Sequence, residues 1–143
     1  MEYTLKLEVT IFMNAFNYFN ARLDATISPM DYLKSSQIES EKYFLIDVRN
    51  GPEHVRSLTI KGANIIPQQE MKNRLHEIPK DKEIIVYCWD VWCNTAAKAA
   101  MFLLEHEYKV KELTGGIAAW EKMNFPVSDL SKVANLPSDG CGC

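Results

Sequence analysis

Residues 82–101 read KEIIVYCWDVWCNTAAKAAM, an apolar β-branched run followed by a loop with two cysteines and an alanine-rich segment. The run that ends at Tyr87 has the composition of a strand buried on both faces. The segment from Asn94 to about His106 predicts a helix that begins at a polar residue. Cys88 therefore lies on a strand-to-helix turn, where free N–H groups and the helix dipole favour the nucleophilic thiolate. We interpret Cys88 as a reactive cysteine, the alternative being a small buried apolar residue.

Short helices and short apolar strands alternate on both sides of this stretch, from residue 28 onward. Strands are predicted at residues 43–47, 63–66, 84–87 and 109–113, the last of them at a sheet edge. Helices are predicted to begin at Ser28-Pro29, over residues 70–78 and after Gly115-Gly116. This alternation predicts an α/β fold with a parallel sheet covered on both faces. Residues that directly follow the strands should then gather at the carboxyl edge of the sheet.

The first part of the chain carries apolar residues at alternating steps of four and three, at Leu5, Val9, Phe12, Phe16, Phe19 and Leu23. This spacing predicts an amphipathic helix. We expect its apolar face to pack on the domain, with a homodimer seam or a partner's groove as the alternative. The C-terminal residues offer little to bury and predict a mobile tail. The predicted organisation is an N-terminal helix (1–26), an α/β domain (27–128) and a flexible tail (129–143).

Size and charge narrow the classes of function. The chain has 143 residues, the length of a single domain. Its net charge of −3 provides no positive electrostatic field to attract nucleic acid or an anionic membrane. No apolar run is long enough to span a bilayer. Residues 1–8 contain two acids and do not have the pattern of a signal peptide, so we expect a cytoplasmic protein. Its four cysteines should then stay reduced instead of forming a disulfide framework.

The ordered motifs together resemble the rhodanese family, a sulfurtransferase domain that carries sulfur as a cysteine persulfide. The resemblance covers about residues 27–128 and rests on LIDVR (45–49) with Glu53 downstream, KGANIIP (61–67), IVYC (85–88), LTGGIAAW (113–120) and FPV (125–127). The loop is similar to that of one branch of single-domain rhodaneses, in which Cys-Trp is followed three residues later by Cys-Asn. Here those positions are Cys88, Trp89, Cys93 and Asn94.

The resemblance implies a parallel sheet of about five short strands with helices on both faces, joined here by the extra N-terminal helix. It also implies an enzyme that uses Cys88 as nucleophile and needs neither cofactor nor metal. Most rhodanese loops contain a glycine and end in arginine, and this loop has neither. Residues 57–60 read SLTI where the family usually has Gly-His-Ile before the second strand. These departures leave the nucleophile assigned but not the substrate.

The loop formed by Trp89, Asp90, Val91, Trp92 and Asn94 is predicted to form the active site around Cys88. We expect the backbone N–H groups of residues 89–94 to point at the Cys88 sulfur and hold the persulfide anion. Trp89 and Trp92 form an aromatic rim, unless one of them fills the core. Because the loop contains Asp90 and no cation, thiosulfate should be a poor substrate. The expected partners are an organic or protein persulfide as donor and a thiol as acceptor.

Cys93 is a candidate resolving thiol, which would attack the persulfide, release sulfide and form a disulfide with Cys88. This role requires that the two Cα atoms lie within about 7 Å, and the alternative is a buried or helix-capping thiol. Asp47, Arg49 and Glu53 are interpreted as a structural group beneath the site. Direct contact between Arg49 and the substrate is the alternative.

The remaining candidate residues carry less information. Cys141 and Cys143 are expected to be inert, although they could accept sulfur or bind metal. The three histidines, His54, His76 and His106, are expected at the surface.

Two other classes of function stay open. A phosphatase or arsenate reductase of related fold requires an arginine six residues after the cysteine, and this position is Asn94. A non-catalytic binding module would use the phenylalanine-rich helix as its contact surface, but it would have no need of Cys88.

Overall fold

A computed structural model of the chain describes residues 1–133. Its seven strands are β1 (Thr26–Ile27), β2 (Tyr43–Asp47), β3 (Leu58–Ile60), β4 (Asn64–Ile65), β5 (Glu83–Tyr87), β6 (Lys109–Leu113) and β7 (Val127–Asp129). Five of them form a parallel sheet in the order β1-β6-β5-β2-β4, and β3 pairs antiparallel with β7. The predicted parallel sheet of about five short strands is confirmed.

The helices are α1 (Glu2–Ala25), α2 (Pro29–Ile38), α3 (Thr95–Glu105), α4 (Gly116–Lys122) and α5 (Leu130–Val133). Helix α2 begins as predicted: Pro29 is its first residue, and the Ser28 hydroxyl accepts a hydrogen bond from the backbone N–H of Asp31. The single helix predicted over residues 70–78 is wrong. Two short 3-10 turns take its place, because the backbone of Arg74 leaves the helical region between them.

Helices cover both faces of the sheet because side chains alternate along the central strand β5. Ile84 and Val86 face one side and pack in a cluster with α3 residues such as Leu103. Ile85 and Tyr87 face the other side, in a cluster with Tyr32 from α2, Ile117 and Trp120 from α4. The predicted burial of the strand before Cys88 on both faces is confirmed, since residues 84–87 are fully buried.

Strand β6 was predicted at the sheet edge, and this is wrong. The two-residue strand β1 pairs outside it, with Thr26 opposite Glu112 and Ile27 opposite Leu113. A strand of two residues has no detectable period, so its pairing with residues more than 80 positions away depends on the tertiary structure.

Helix α1 does not pack on the domain as expected. Its main contacts with the described elements of the domain are with β1 and β6. The described residues of its apolar stripe are all more than half exposed: Leu5 65%, Phe12 66%, Phe16 57%, Phe19 54% and Leu23 72%. The physical reason is that α2 and α4 cover one face of the sheet and α3 covers the other, so neither sheet face is open to this helix.

The segment that was expected to be mobile from residue 129 begins with regular structure. Asp129 ends β7, and its carboxylate accepts from the backbone N–H of Ser131 at the start of α5. Residues 134–143, which include Cys141 and Cys143, lie outside the described residues. Within residues 1–133, every helix is too short or too polar to cross a bilayer.

Candidate active site

Cys88 directly follows β5 at the carboxyl edge of the sheet and is joined to Cys93 by a disulfide. The two Cα atoms lie 6.5 Å apart, within the distance that the resolving role requires. Cys88 is only 3% exposed, because it packs against the cluster on the α3 side of the sheet. In this oxidised form the sulfur is covered and not open to solvent.

The loop backbone is held by the first turn of α4. The N–H of Ile117 donates to the carbonyl of Cys88, and the N–H of Ala118 donates to the carbonyl of Trp89, both at 3.0 Å. Such N–H groups have no partner within a helix, so the loop supplies the acceptors that α4 needs. Gly116 makes the approach possible, since a side chain there would overlap the carbonyl group of Cys88.

The loop N–H groups are arranged differently from the predicted cup around the sulfur. The Val91 N–H donates to the Asp90 carboxylate at 2.6 Å, and the Cys93 N–H donates to the Asp90 carbonyl at 3.0 Å. Two of the donors expected at Cys88 are therefore used within the loop. For these two N–H groups the prediction is wrong in the disulfide-bonded form, because Asp90 competes for them.

The first residue of α3, Thr95, contacts Cys93 through its side chain. Asn94 is the N-cap residue, but its side chain makes no capping hydrogen bond. Thr95 Oγ1 lies 3.2 Å from Cys93 Sγ, within hydrogen-bonding distance. A disulfide sulfur carries no hydrogen, so the Thr95 hydroxyl is the donor.

A buried ion pair supports the loop from below. Arg49, 2% exposed, donates to both carboxylate oxygens of Asp47 and also to the carbonyl of Leu58. Its guanidinium carbon lies 4.4 Å from the centre of the Trp89 ring, in cation–π geometry. The structure thus brings Asp47 and Arg49 together beneath the residue next to Cys88. Glu53 is not part of this group: it lies exposed in a 3-10 turn and, within the described part of the chain, forms no ion pair.

Two further side chains complete the hydrogen bonding of Asp47. The Tyr87 hydroxyl donates to its Oδ2 at 3.0 Å. The Thr59 hydroxyl lies 3.1 Å from the same oxygen and 2.6 Å from the Tyr87 oxygen, which also accepts from the Ile60 N–H. Burial, followed by the charge of Asp47, raises the pKa of Tyr87 well above its ordinary value. Tyr87 is therefore a neutral hydroxyl at physiological pH, and it connects the parallel sheet to the β3–β7 pair.

The two tryptophans have different surroundings. Trp89 is half-buried and packs against the clusters on both faces of the sheet. Trp92 is 72% exposed and the neighbouring Val91 79% exposed. Both tryptophans line a cleft of about 260 Å³, together with the carboxylates of Asp90 and Glu121. Arg49 also lines the cleft, but its guanidinium is already bound by Asp47.

Sequence reasoning missed several residues that shape this site. Residues 114–116 were expected at the same sheet edge as the Cys88 loop, and Gly116 lies against the Cys88 carbonyl there. The hydrogen bonds from α4 to the loop were not predicted. Thr95 and Tyr87 were considered only as parts of a helix and a strand. Among residues 1–133, no three His, Cys, Asp or Glu side chains are arranged to hold a metal.

Comparison with known proteins places this geometry in a family. Residues 30–123 match the model of the rhodanese-like domain. A sulfurtransferase of Allochromatium vinosum is 30% identical over 90 residues, which cover 62% of this chain and 81% of that protein. A helix-turn-helix-type transcriptional regulator of Mycobacterium tuberculosis is 29% identical over 119 residues, 80% of this chain. The chain spans only about half, 52%, of the regulator's length.

A solved structure agrees with these matches in fold. The crystal structure of a full-length protein from Lactobacillus plantarum has a TM-score of 0.77 and 29% identity, over 82% of this chain and 98% of that one. The family match covers about two thirds of the chain and includes the strand, loop and helix around Cys88. The similarity to the sulfurtransferase supports a function of the sulfurtransferase type. From its motifs, its parallel sheet and these matches, the chain belongs to the rhodanese-like family.

Proposed function

We propose that the protein is a sulfurtransferase that carries sulfane sulfur as a persulfide on Cys88. The observation that carries the proposal is the position of Cys88 on the strand-to-helix loop of a rhodanese-like domain, with a second thiol, Cys93, in bonding reach. A non-catalytic binding module would require neither the exchangeable sulfur nor its neighbour.

The proposed reaction has two transfers. The Cys88 thiolate attacks the outer sulfur of a donor R–S–SH, so that Cys88–S–SH forms and the thiolate R–S⁻ leaves. An acceptor thiolate then attacks the outer sulfur of Cys88–S–SH, takes it as a new persulfide and regenerates the Cys88 thiolate. No oxidant or reductant is consumed in this cycle.

Cys93 provides a second fate for the persulfide. Its thiolate attacks the inner sulfur of Cys88–S–SH, which forms the Cys88–Cys93 disulfide and expels HS⁻. The Cα separation of 6.5 Å supports this role. An external dithiol then reduces the disulfide and is itself oxidised. This recovery favours a cytoplasmic location, where such reductants are available.

The charges around the loop favour an organic or protein persulfide as the donor. The cleft contains two carboxylates, and its one guanidinium is neutralised by Asp47. A small dianion such as thiosulfate would therefore be repelled and not clamped. The exposed Val91 and Trp92 offer an apolar surface to a larger donor.

Intact mass spectrometry of the reduced protein tests the proposal. After exposure to glutathione persulfide, Cys93→Ser should retain one added sulfur, whereas Cys88→Ser should retain none. The wild type should form the internal disulfide and release sulfide. Thiosulfate should load Cys93→Ser much more slowly under the same conditions.

Other outcomes would assign a different function. Absence of an adduct with every donor would favour the binding module, and hydrolysis of an aryl phosphate would favour the phosphatase class. Loading by thiosulfate at the rate of glutathione persulfide would contradict the assigned donor. If the added sulfur stayed on wild-type Cys88, Cys93 would not be the resolving thiol.

A further inference from the structure

The apolar stripe of α1 is an exposed surface that the proposed sulfur transfer does not explain. We define the stripe by Leu5, Val9, Phe12, Phe16, Phe19 and Leu23. All members whose side chains are described are 54–72% exposed, on a helix of 24 residues whose main contacts with the domain are with β1 and β6. A continuous apolar surface of this kind on a soluble domain marks an interaction site.

We propose that α1 pairs with α1 of a second copy of this chain in an antiparallel two-helix coiled coil. The stripe advances by four, three, four, three and four residues, which is the spacing of a coiled-coil seam. This series reads the same in both directions about residue 14. Antiparallel pairing therefore places Leu5 opposite Leu23, position 9 opposite Phe19, and Phe12 opposite Phe16 of the second copy.

The charges beside the stripe favour the antiparallel orientation. Glu8 and Arg22 occupy equivalent positions on one flank of the seam, and both are exposed. Neither forms an ion pair with another residue in the described portion of the chain. Antiparallel pairing brings Glu8 next to Arg22 of the second copy, once at each end of the dimer. Parallel pairing would instead place Glu8 beside Met13, with no ion pair.

The stripe is large enough for a specific dimer. A phenylalanine buries about 150–250 Å² when fully covered, so half-exposed members would each contribute roughly 100 Å². Five described members then give about 1,000 Å² over both copies, the lower limit of a specific interface, before position 9 is included. The inference does not depend on the chemistry of Cys88.

Light scattering during gel filtration of the full reduced chain tests this inference. The monomer mass is 16.4 kDa, and we expect the wild type at about twice that value. Phe16→Asp places a charge in the seam and should give the monomer. Ile11→Asp is the matched control, because Ile11 is equally exposed at 61% but lies off the stripe, and this variant should stay dimeric.

The orientation is tested by exchanging charges. Glu8→Arg and Arg22→Glu should each weaken the dimer, since each places like charges together at both ends. An equimolar mixture of the two variants should form a heterodimer, because every Glu8–Arg22 contact is then again between opposite charges. Circular dichroism verifies that each variant is folded.

Several results would overturn the inference. A wild type that is monomeric at all concentrations would overturn it, whether the stripe then binds vesicles of anionic lipid, another protein or nothing. A dimer that survives Phe16→Asp, or is lost in Ile11→Asp, would show that the stripe is not the seam. Failure of the mixed variants to associate preferentially would exclude the antiparallel register.

Discussion

Thr95 provides a side-chain contact to the second cysteine of the loop. Its hydroxyl lies 3.2 Å from Cys93 Sγ, while the side chain of the adjacent Asn94 makes no capping hydrogen bond. A hydroxyl that donates to sulfur stabilises the thiolate, which is the form that attacks a persulfide. In the proposed reaction, Thr95 would therefore position Cys93 for the resolving step and would not act in the loading of Cys88.

Thr95→Val should slow sulfide release by about five- to tenfold, because it removes one hydrogen bond of roughly 1–1.4 kcal/mol. The pH dependence of the release rate should also move to higher pH, since the thiolate loses its donor. Stopped-flow detection of sulfide after loading with glutathione persulfide measures both effects. Thr95→Ser should restore the wild-type profile, and an unchanged profile in Thr95→Val would refute the role.

At the scale of single residues, the sequence identified candidate residues for the site but not the contacts that they make. Cys88, Cys93, Asp47 and Arg49 were recognisable from their places after strands. The donors to Asp47, the cation–π contact of Arg49 with Trp89, and the use of loop N–H groups by Asp90 were not. Each of these contacts depends on distances set by the folded chain.

At the scale of elements, the contact between α4 and the Cys88 loop organises the site. Gly116 has a φ of 58°, in the left-handed region, and its Cα lies against the Cys88 carbonyl group. The helix thus donates two N–H groups to the loop only because residue 116 has no side chain.

Gly116→Ala should destabilise the protein by about 3 kcal/mol or more, because backbone strain adds to the collision with the loop. Gly62→Ala is the matched control, since Gly62 also has a positive φ of 84° but has open space around it. It should cost only about 1 kcal/mol. Urea unfolding of both variants measures the difference.

Sulfur loading of Cys88 gives this comparison a second measurement. At a urea concentration where the variants are still folded, Cys88 of Gly116→Ala should take up sulfur more slowly than Cys88 of the wild type. Gly62→Ala should take up sulfur at the wild-type rate. Equal stability losses and equal loading rates in the two variants would show that α4 does not position the loop.

At the scale of the whole molecule, Tyr87 joins the parallel sheet to the β3–β7 pair. Its pKa is raised by burial and by Asp47, so the folded protein retains this proton at a pH where the unfolded chain loses it. The resulting stability is fully present below the ordinary tyrosine pKa of 10.0 and is lost as the pH rises above it.

Tyr87→Phe should therefore lose less stability than the wild type between about pH 8 and pH 11. At pH 8 it should already be less stable by about 1–3 kcal/mol, because the Ile60 N–H loses its acceptor. Urea unfolding at both pH values measures the two effects.

Tyr32→Phe is the control: burial raises the pKa of Tyr32 to about 12, but its hydroxyl bonds to no other residue among those described. Tyr32→Phe should also lose less stability than the wild type between pH 8 and pH 11, but it should not be comparably destabilised at pH 8. If the stability of Tyr87→Phe fell with pH as steeply as that of the wild type, the role assigned to the Tyr87 proton would be contradicted.

The sequence by itself determined the parallel sheet, the main helices and the place of the Cys88 loop after β5, because these follow from local periodicity, caps and the order of motifs. Only the tertiary structure decided the short strands β1, β3 and β7, which acquire their hydrogen bonds from distant residues. It also decided the exposure of α1, since the two sheet faces were already covered by other helices. The hydrogen bonds between α4 and the Cys88 loop depend likewise on where the helix meets that loop in space.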